Sequence, residues 1–109
     1  MLGELIGSIN KERALVYLVA REAGYAREIA RFFDVPLNPI QKALDGLERA
    51  GVLVSRVVGS TREYRLNPRY SLRNELRALV EKALSLYPER LREELLITRT
   101  RPRRKGKPL

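Results

Sequence analysis

The sequence contains neither cysteine nor histidine. Without cysteine there is no disulfide framework and no thiolate nucleophile. Without histidine as well, thiolate and imidazole metal sites and histidine acid–base catalysis are excluded, so no metal and no cofactor are expected. Phosphate-cradling glycine loops, clustered carboxylates and a nucleophile set beside a base are also absent, and the chain is not expected to be an enzyme. Long apolar runs are missing too. No segment approaches the roughly eighteen consecutive apolar residues that a membrane span needs. Met1 to Gly7 lacks the basic start and long apolar core of a secretory signal. The expected location is the cytoplasm, with no membrane partner.

What is present is charge. Among 109 residues, 22 Lys and Arg face 13 Asp and Glu, a net of +9. The 44% apolar content suits one folded domain with an appendage. A balance this basic points first to nucleic acid and second to an anionic membrane surface. The excess is uneven. Residues 99–107 hold six cations and no acid, whereas 1–98 carry 16 basic and 13 acidic residues.

Apolar spacing predicts a helix from Lys11 to Arg21, capped by Asn10 and ended by Gly24, with Leu15, Leu18 and Val19 on one face. A second helix spans about Ala26 to Phe33, and Asp34-Val35-Pro36 breaks it. The third runs from about residue 37 to 50, with Pro39 in its first turn and Ile40, Leu44 and Leu47 as a buried stripe. Gly51 stops it. Val52–Val57, a Gly59-Ser60 turn and Thr61–Leu66 read as a small hairpin, with Tyr64 and Leu66 on its inner face. Ser71 can cap a fourth helix, Leu72 to Tyr87, and Leu91, Leu95 and Leu96 suggest a further one before the tail. The fold class is mainly α with a small β-hairpin: a three-helix core plus wing, with flanking helices.

Two short helices joined by a tight turn, the second running into a hairpin, describe a winged helix-turn-helix. The run from Arg27 to Leu66 carries Glu28-Ile29-Ala30, then Ile40 and Leu44, then Leu47, Glu48, Ala50, Gly51 and Val52-Leu53, and closes on Tyr64-Arg65-Leu66-Asn67. In these positions it resembles the winged helix-turn-helix of bacterial and archaeal regulators of the ArsR type. The resemblance implies a sequence-specific double-stranded DNA-binding transcription regulator. It also implies a homodimer formed by terminal helices on an operator of twofold symmetry. Metal-sensing members carry cysteine or histidine ligands, which this chain lacks, and any effector is left open.

On this reading residues 1–70 are the DNA-binding domain, 71–97 the dimerisation helices and 98–109 a basic flexible tail. The recognition helix, about 37–50, lies in the major groove, and the wing, about 52–66, on backbone or minor groove. Asn38 and Gln41 can pair bidentately with adenine, and Lys42 can reach guanine or a phosphate, with Pro39 beside them. Asp45 can accept from cytosine N4, or simply pair with Arg49 or orient Lys42. Arg27 and Arg31 either meet phosphates or pair with Glu28 and Asp34. In the wing, Arg56 and Arg62 are candidates for a narrow minor groove, and Ser60 and Thr61 for phosphate. The seam Leu72, Leu76, Leu79, Val80, Ala83 and Leu84 either pairs with a second copy or folds onto its own domain. Arg101, Arg103, Arg104, Lys105 and Lys107 form a DNA arm in which Lys105-Gly106-Lys107-Pro108 resembles an AT-hook core; generic phosphate attraction and mere solubility are the other readings. A different class of function stays open: a winged-helix protein-interaction module, or the regulatory partner of a separate enzyme such as a nucleotidyltransferase.

Overall fold

A computed structural model describes residues 2–100, with side chains over 2–96. Its elements are α1 (Leu2–Ile6), α2 (Ile9–Arg21), β1 (Gly24–Tyr25), α3 (Ala26–Phe33), α4 (Leu37–Arg49), β2 (Leu53–Val58), β3 (Thr61–Leu66), α5 (Arg73–Ser85) and α6 (Glu89–Thr100). The three strands form an antiparallel sheet in the order β1-β3-β2. None of the helices over the described residues is long and apolar enough to cross a membrane.

Ser8, rather than Asn10, opens α2: it lies in extended backbone and its Oγ accepts from the Lys11 N–H at 3.1 Å. The helix ends at Glu22, in left-handed backbone with φ 73°, whose N–H closes on the Leu18 carbonyl. Gly24, expected as the stop, is instead the first residue of β1, opposite Tyr64. A Cβ there would lie 2.7 Å from the Tyr17 ring, so only glycine lets this strand close over α2. Every residue from Ala14 to Ala20 is buried, not only Leu15, Leu18 and Val19. The reason is position: α1, α4, α5, α6 and the sheet all pack around α2.

α3 starts where the Glu28 carboxylate accepts from the Tyr25 N–H at 3.1 Å and ends at Asp34, which adopts φ 57°. The turn to α4 covers residues 34–36. Pro39 sits in the first turn of α4, where a missing N–H costs nothing. Gly51, at φ 83°, then reverses the chain into the wing. The hairpin register pairs Leu53 with Leu66, Ser55 with Tyr64, Val57 with Arg62 and Val58 with Thr61.

Burial of Val80, Ala83, Leu84 and Leu95 brings α5 and α6 into the same hydrophobic core as α2 to α4. Arg21 fastens α6 further. Its Nε donates to the Leu95 carbonyl at 3.2 Å and one Nη to the Tyr17 hydroxyl at 2.6 Å, and its guanidinium lies 4.7 Å over the Tyr17 ring. A buried carboxylate ties the other corner. Glu12 accepts from the Gly3 N–H and from the Tyr87 hydroxyl, each at 2.6 Å, joining α1 to the α5–α6 junction. Of the seam expected to pair with a second copy, Val80, Ala83 and Leu84 are thus spent inside the chain and Leu76 packs against its core. Leu72 (55%) and Leu79 (41%) are left exposed, because α5 turns one face to α2 and the other to solvent.

Candidate nucleic-acid interface

α4 buries Ile40, Ala43, Leu44 and Leu47. At 100° per residue the side opposite that stripe carries Asn38, Lys42, Asp45 and Arg49. Asn38, Lys42 and Arg49 are exposed and make no side-chain hydrogen bond or ion pair among the described residues, so this stripe presents one amide and two cations to solvent. On α3, Arg27 and Arg31 lie one helical turn apart and both are exposed. Neither pairs with Glu28 or Asp34: Glu28 is turned back to cap α3, and Asp34 is the left-handed stop.

The flank of α4 nearer the wing carries Gln41, Asp45 and Glu48. These residues, with Arg27, Ser60, Thr61, Arg62 and Tyr64, line an open cleft of about 350 Å³ between α4, the start of α3 and the wing. Two hydrogen-bond chains cross it. In the first, Gln41 Nε2 donates to Asp45 Oδ1 at 3.1 Å and to the Tyr64 hydroxyl at 2.9 Å. Both amide protons are therefore in use. Bidentate adenine pairing needs one of them, so Gln41 reads a base only by giving up an internal bond. Asp45 is held by Gln41 and Tyr64, not by Arg49 or Lys42, and the expected carboxylate–arginine pair does not form. Burial pushes the Tyr64 hydroxyl above the ordinary tyrosine range, with Asp45 and Glu48 adding to the effect against the Gln41 hydrogen bond. It stays a neutral phenol.

In the second chain, Ser55 Oγ donates to Glu48 Oε2 at 2.7 Å, and one Nη of Arg62 donates to Ser55 Oγ at 3.0 Å. Arg62 is thereby tied through a strand hydroxyl to α4, while its other N–H groups stay available. Arg56 is placed differently. Strand alternation sets Arg62, Tyr64 and Ser55 on the helix-facing side and Arg56, Glu63 and Arg65 on the other. Arg56 pairs there with Glu63 at 3.1 Å, as does Arg65. Burial works against the Glu63 carboxylate, yet hydrogen bonds from Arg65 and Arg56 outweigh it and hold its pKa below the usual range. Of the three wing arginines, only Arg62 shares a side with α4. Thr61 directs its hydroxyl to the Val58 carbonyl at 3.1 Å, which stiffens the turn, and Ser60 is exposed at the tip.

The structure thus brings together Asn38, Lys42, Arg27, Ser60, Thr61 and Arg62 around α4 and keeps Arg56 apart. The tail residues Arg101, Arg103, Arg104, Lys105 and Lys107 lie outside the described residues. Sequence reasoning passed over Arg49, which shares the outward stripe, and the Glu48–Ser55–Arg62 chain. A usable signal existed for the other chain: a buried tyrosine such as Tyr64 seeks a partner for its hydroxyl, and Gln41 and Asp45 are the polar residues on the adjacent helix flank.

The sequence matches no protein-family model and no curated protein. Its structure is similar to that of a doubly substituted, apo form of ZitR from Lactococcus lactis. The TM-score is 0.53 at 16% identity, over 91% of this chain and 83% of that one. With the helix order and the three-stranded sheet, this likeness establishes the fold as a winged helix.

Proposed function

We propose that the chain is a sequence-specific, duplex-DNA-binding transcription regulator of the ArsR-like winged-helix kind. The observation that carries this reading is the separation of charge on α4. Its outward stripe shows Asn38, Lys42 and Arg49 to solvent, while Asp45 and Glu48 are held by Tyr64, Gln41 and Ser55. Carboxylates facing a phosphate backbone are thus partly quenched, and the cations are not. In this reading Asn38 and Lys42 contact base edges, Arg27 and Arg31 the backbone beside them, and Arg62 the groove under the wing. The regulator ZitR shares the fold, which supports the same reading.

A homodimer fits the exposed apolar side chains of the terminal helices: Leu5 (73%), Leu72 (55%), Leu79 (41%) and Leu86 (61%). Two copies would set two recognition helices on one duplex. The test is binding to random-sequence duplex across a salt series, followed by fluorescence anisotropy. Affinity falls with a log–log slope of about −0.9 per phosphate neutralised, and Arg27→Gln makes the slope shallower by about one. A salt-independent or undetectable interaction overturns the reading.

A further inference from the structure

A second cavity, of about 320 Å³, lies away from α4; no residue of that helix lines it. Three arginines line it from two elements: Arg65 of β3, on the face of the wing turned away from α4, and Arg73 and Arg77 of α5. Leu18, Leu66 and Pro68 supply an apolar floor and Glu22 the one carboxylate. The lining thus carries a surplus of two positive charges.

The placement of Arg73 and Arg77 runs against helix electrostatics. Arg73 is the first residue of α5, at the end of the helix dipole that repels cations, and Arg77 lies one turn on. Leu72, at the N-cap, offers no side-chain acceptor to the first-turn N–H groups. Glu75 is the acid of the first turn and complements the dipole, but it makes no ion pair with either arginine among the described residues. Arg73 bonds the neutral amide oxygen of Asn74 at 3.2 Å and meets no carboxylate among the described residues. Arg77 approaches Glu81 only to 3.8 Å, an exposed pair of small worth. Arg65 is shared with Glu63. Three arginines lining one cavity, with Arg73 and Arg77 lacking a close carboxylate, make a combination that an anion completes.

We infer that this cavity binds a small phosphate-bearing anion, held by Arg73 and Arg77 of α5 and by Arg65 from the wing strand. A phosphomonoester carries close to two negative charges at neutral pH, which matches the surplus, and three acceptor oxygens for the three guanidiniums. The apolar floor suits a short hydrocarbon or aromatic body on the ester. A ligand seated there bridges the wing to α5. The inference does not depend on the DNA-binding reading.

The test uses phenyl phosphate and inorganic phosphate as probes, titrated into the full chain at low salt and followed by calorimetry and by the arginine Nε–H resonances. Saturable binding is expected, tighter for phenyl phosphate, with shifts at Arg65, Arg73 and Arg77. Arg73→Gln together with Arg77→Gln lowers affinity by at least about tenfold, the loss of charge-assisted hydrogen bonds. Arg27→Gln with Lys42→Gln leaves it unchanged. Equal loss in both pairs, or no saturation in the wild type, overturns the inference, since the probe then reads overall charge. A second arm separates the two sources of phosphate. With no probe present, the Arg73/Arg77 variant binds duplex DNA as the wild type does. If it instead weakens DNA binding and flattens the salt dependence as Arg27→Gln does, these arginines are backbone contacts and the small-anion site is refuted. Circular dichroism of each variant shows that the fold is kept.

Discussion

Ser55→Ala removes one oxygen and disconnects Arg62 from α4. In the wild type, Ser55 Oγ gives a 2.7 Å bond to Glu48 and receives a 3.0 Å bond from Arg62. Ser55 is half-buried, so water replaces part of what is lost. The stability cost is therefore at the low end for a hydrogen bond, about 0.5–1 kcal/mol, and Tm falls by about 2–6 °C. The larger effect is on binding. Once unanchored, Arg62 must be ordered when DNA arrives, and immobilising such a side chain costs about 0.5–1.5 kcal/mol, or about two- to twelvefold in Kd. Anisotropy with a fixed duplex measures this in four proteins: wild type, Ser55→Ala, Arg62→Ala and the double variant. The chain of bonds predicts that Ser55→Ala costs less once Arg62 is gone, since only the freed Glu48 carboxylate is then left to weaken binding, and that Ser55→Thr, which keeps the hydroxyl, retains binding. An unchanged Kd in Ser55→Ala, or an equal loss in the Arg62→Ala background, refutes the reasoning.

The Tyr87 hydroxyl donates to the buried Glu12 carboxylate, and Tyr87→Phe should cost about 2 kcal/mol in urea melts, as expected for a bond to a charged acceptor. Burial raises the pKa of Tyr87, Tyr64 and Tyr17 above the ordinary value, with Glu12 adding to the shift at Tyr87. The folded state therefore keeps these protons where the unfolded chain loses them: stability holds below about pH 10 and falls as pH rises beyond it, less steeply in Tyr87→Phe. Leu95 is fully buried, and Leu95→Ala should destabilise the whole chain by about 3 kcal/mol in a single urea transition, whereas a separately folding α6 would give two. Deleting residues 99–109 should weaken binding to all duplexes alike and flatten the salt slope; unchanged non-specific affinity would refute a DNA arm.

Much of this architecture is legible in the sequence because it rests on spacing. The period of Ile40, Leu44 and Leu47 fixes α4, and the inward alternation of Tyr64 and Leu66 fixes the hairpin. The features that escape are those with no period. A two-residue strand such as Gly24–Tyr25 leaves no pattern, and its glycine reads as a helix stop until the Tyr17 ring is seen beneath it. A helix buried on all sides, as α2 is, looks amphipathic when only its strongest apolar residues are counted. At the interface, the sequence supplies the polar side chains around α4 but not their partners. Gln41 and Lys42 are neighbours in the chain with similar apparent promise. One is engaged by Tyr64, 23 positions away, and the other is exposed. Arg56 and Arg62 flank the same turn, and strand parity alone sends them to opposite faces.

In the proposed function, the outward stripe of α4 reads duplex sequence. Selection of bound duplexes from a random pool, run with the wild type and with Asn38→Ala/Lys42→Ala, tests it most directly. One enriched motif is expected with the wild type. In the variant, the preference relaxes by about 1–3 kcal/mol at the positions that lose a base contact, while backbone affinity persists. No enriched motif with the wild type, or the same motif selected equally well by the variant, would contradict it.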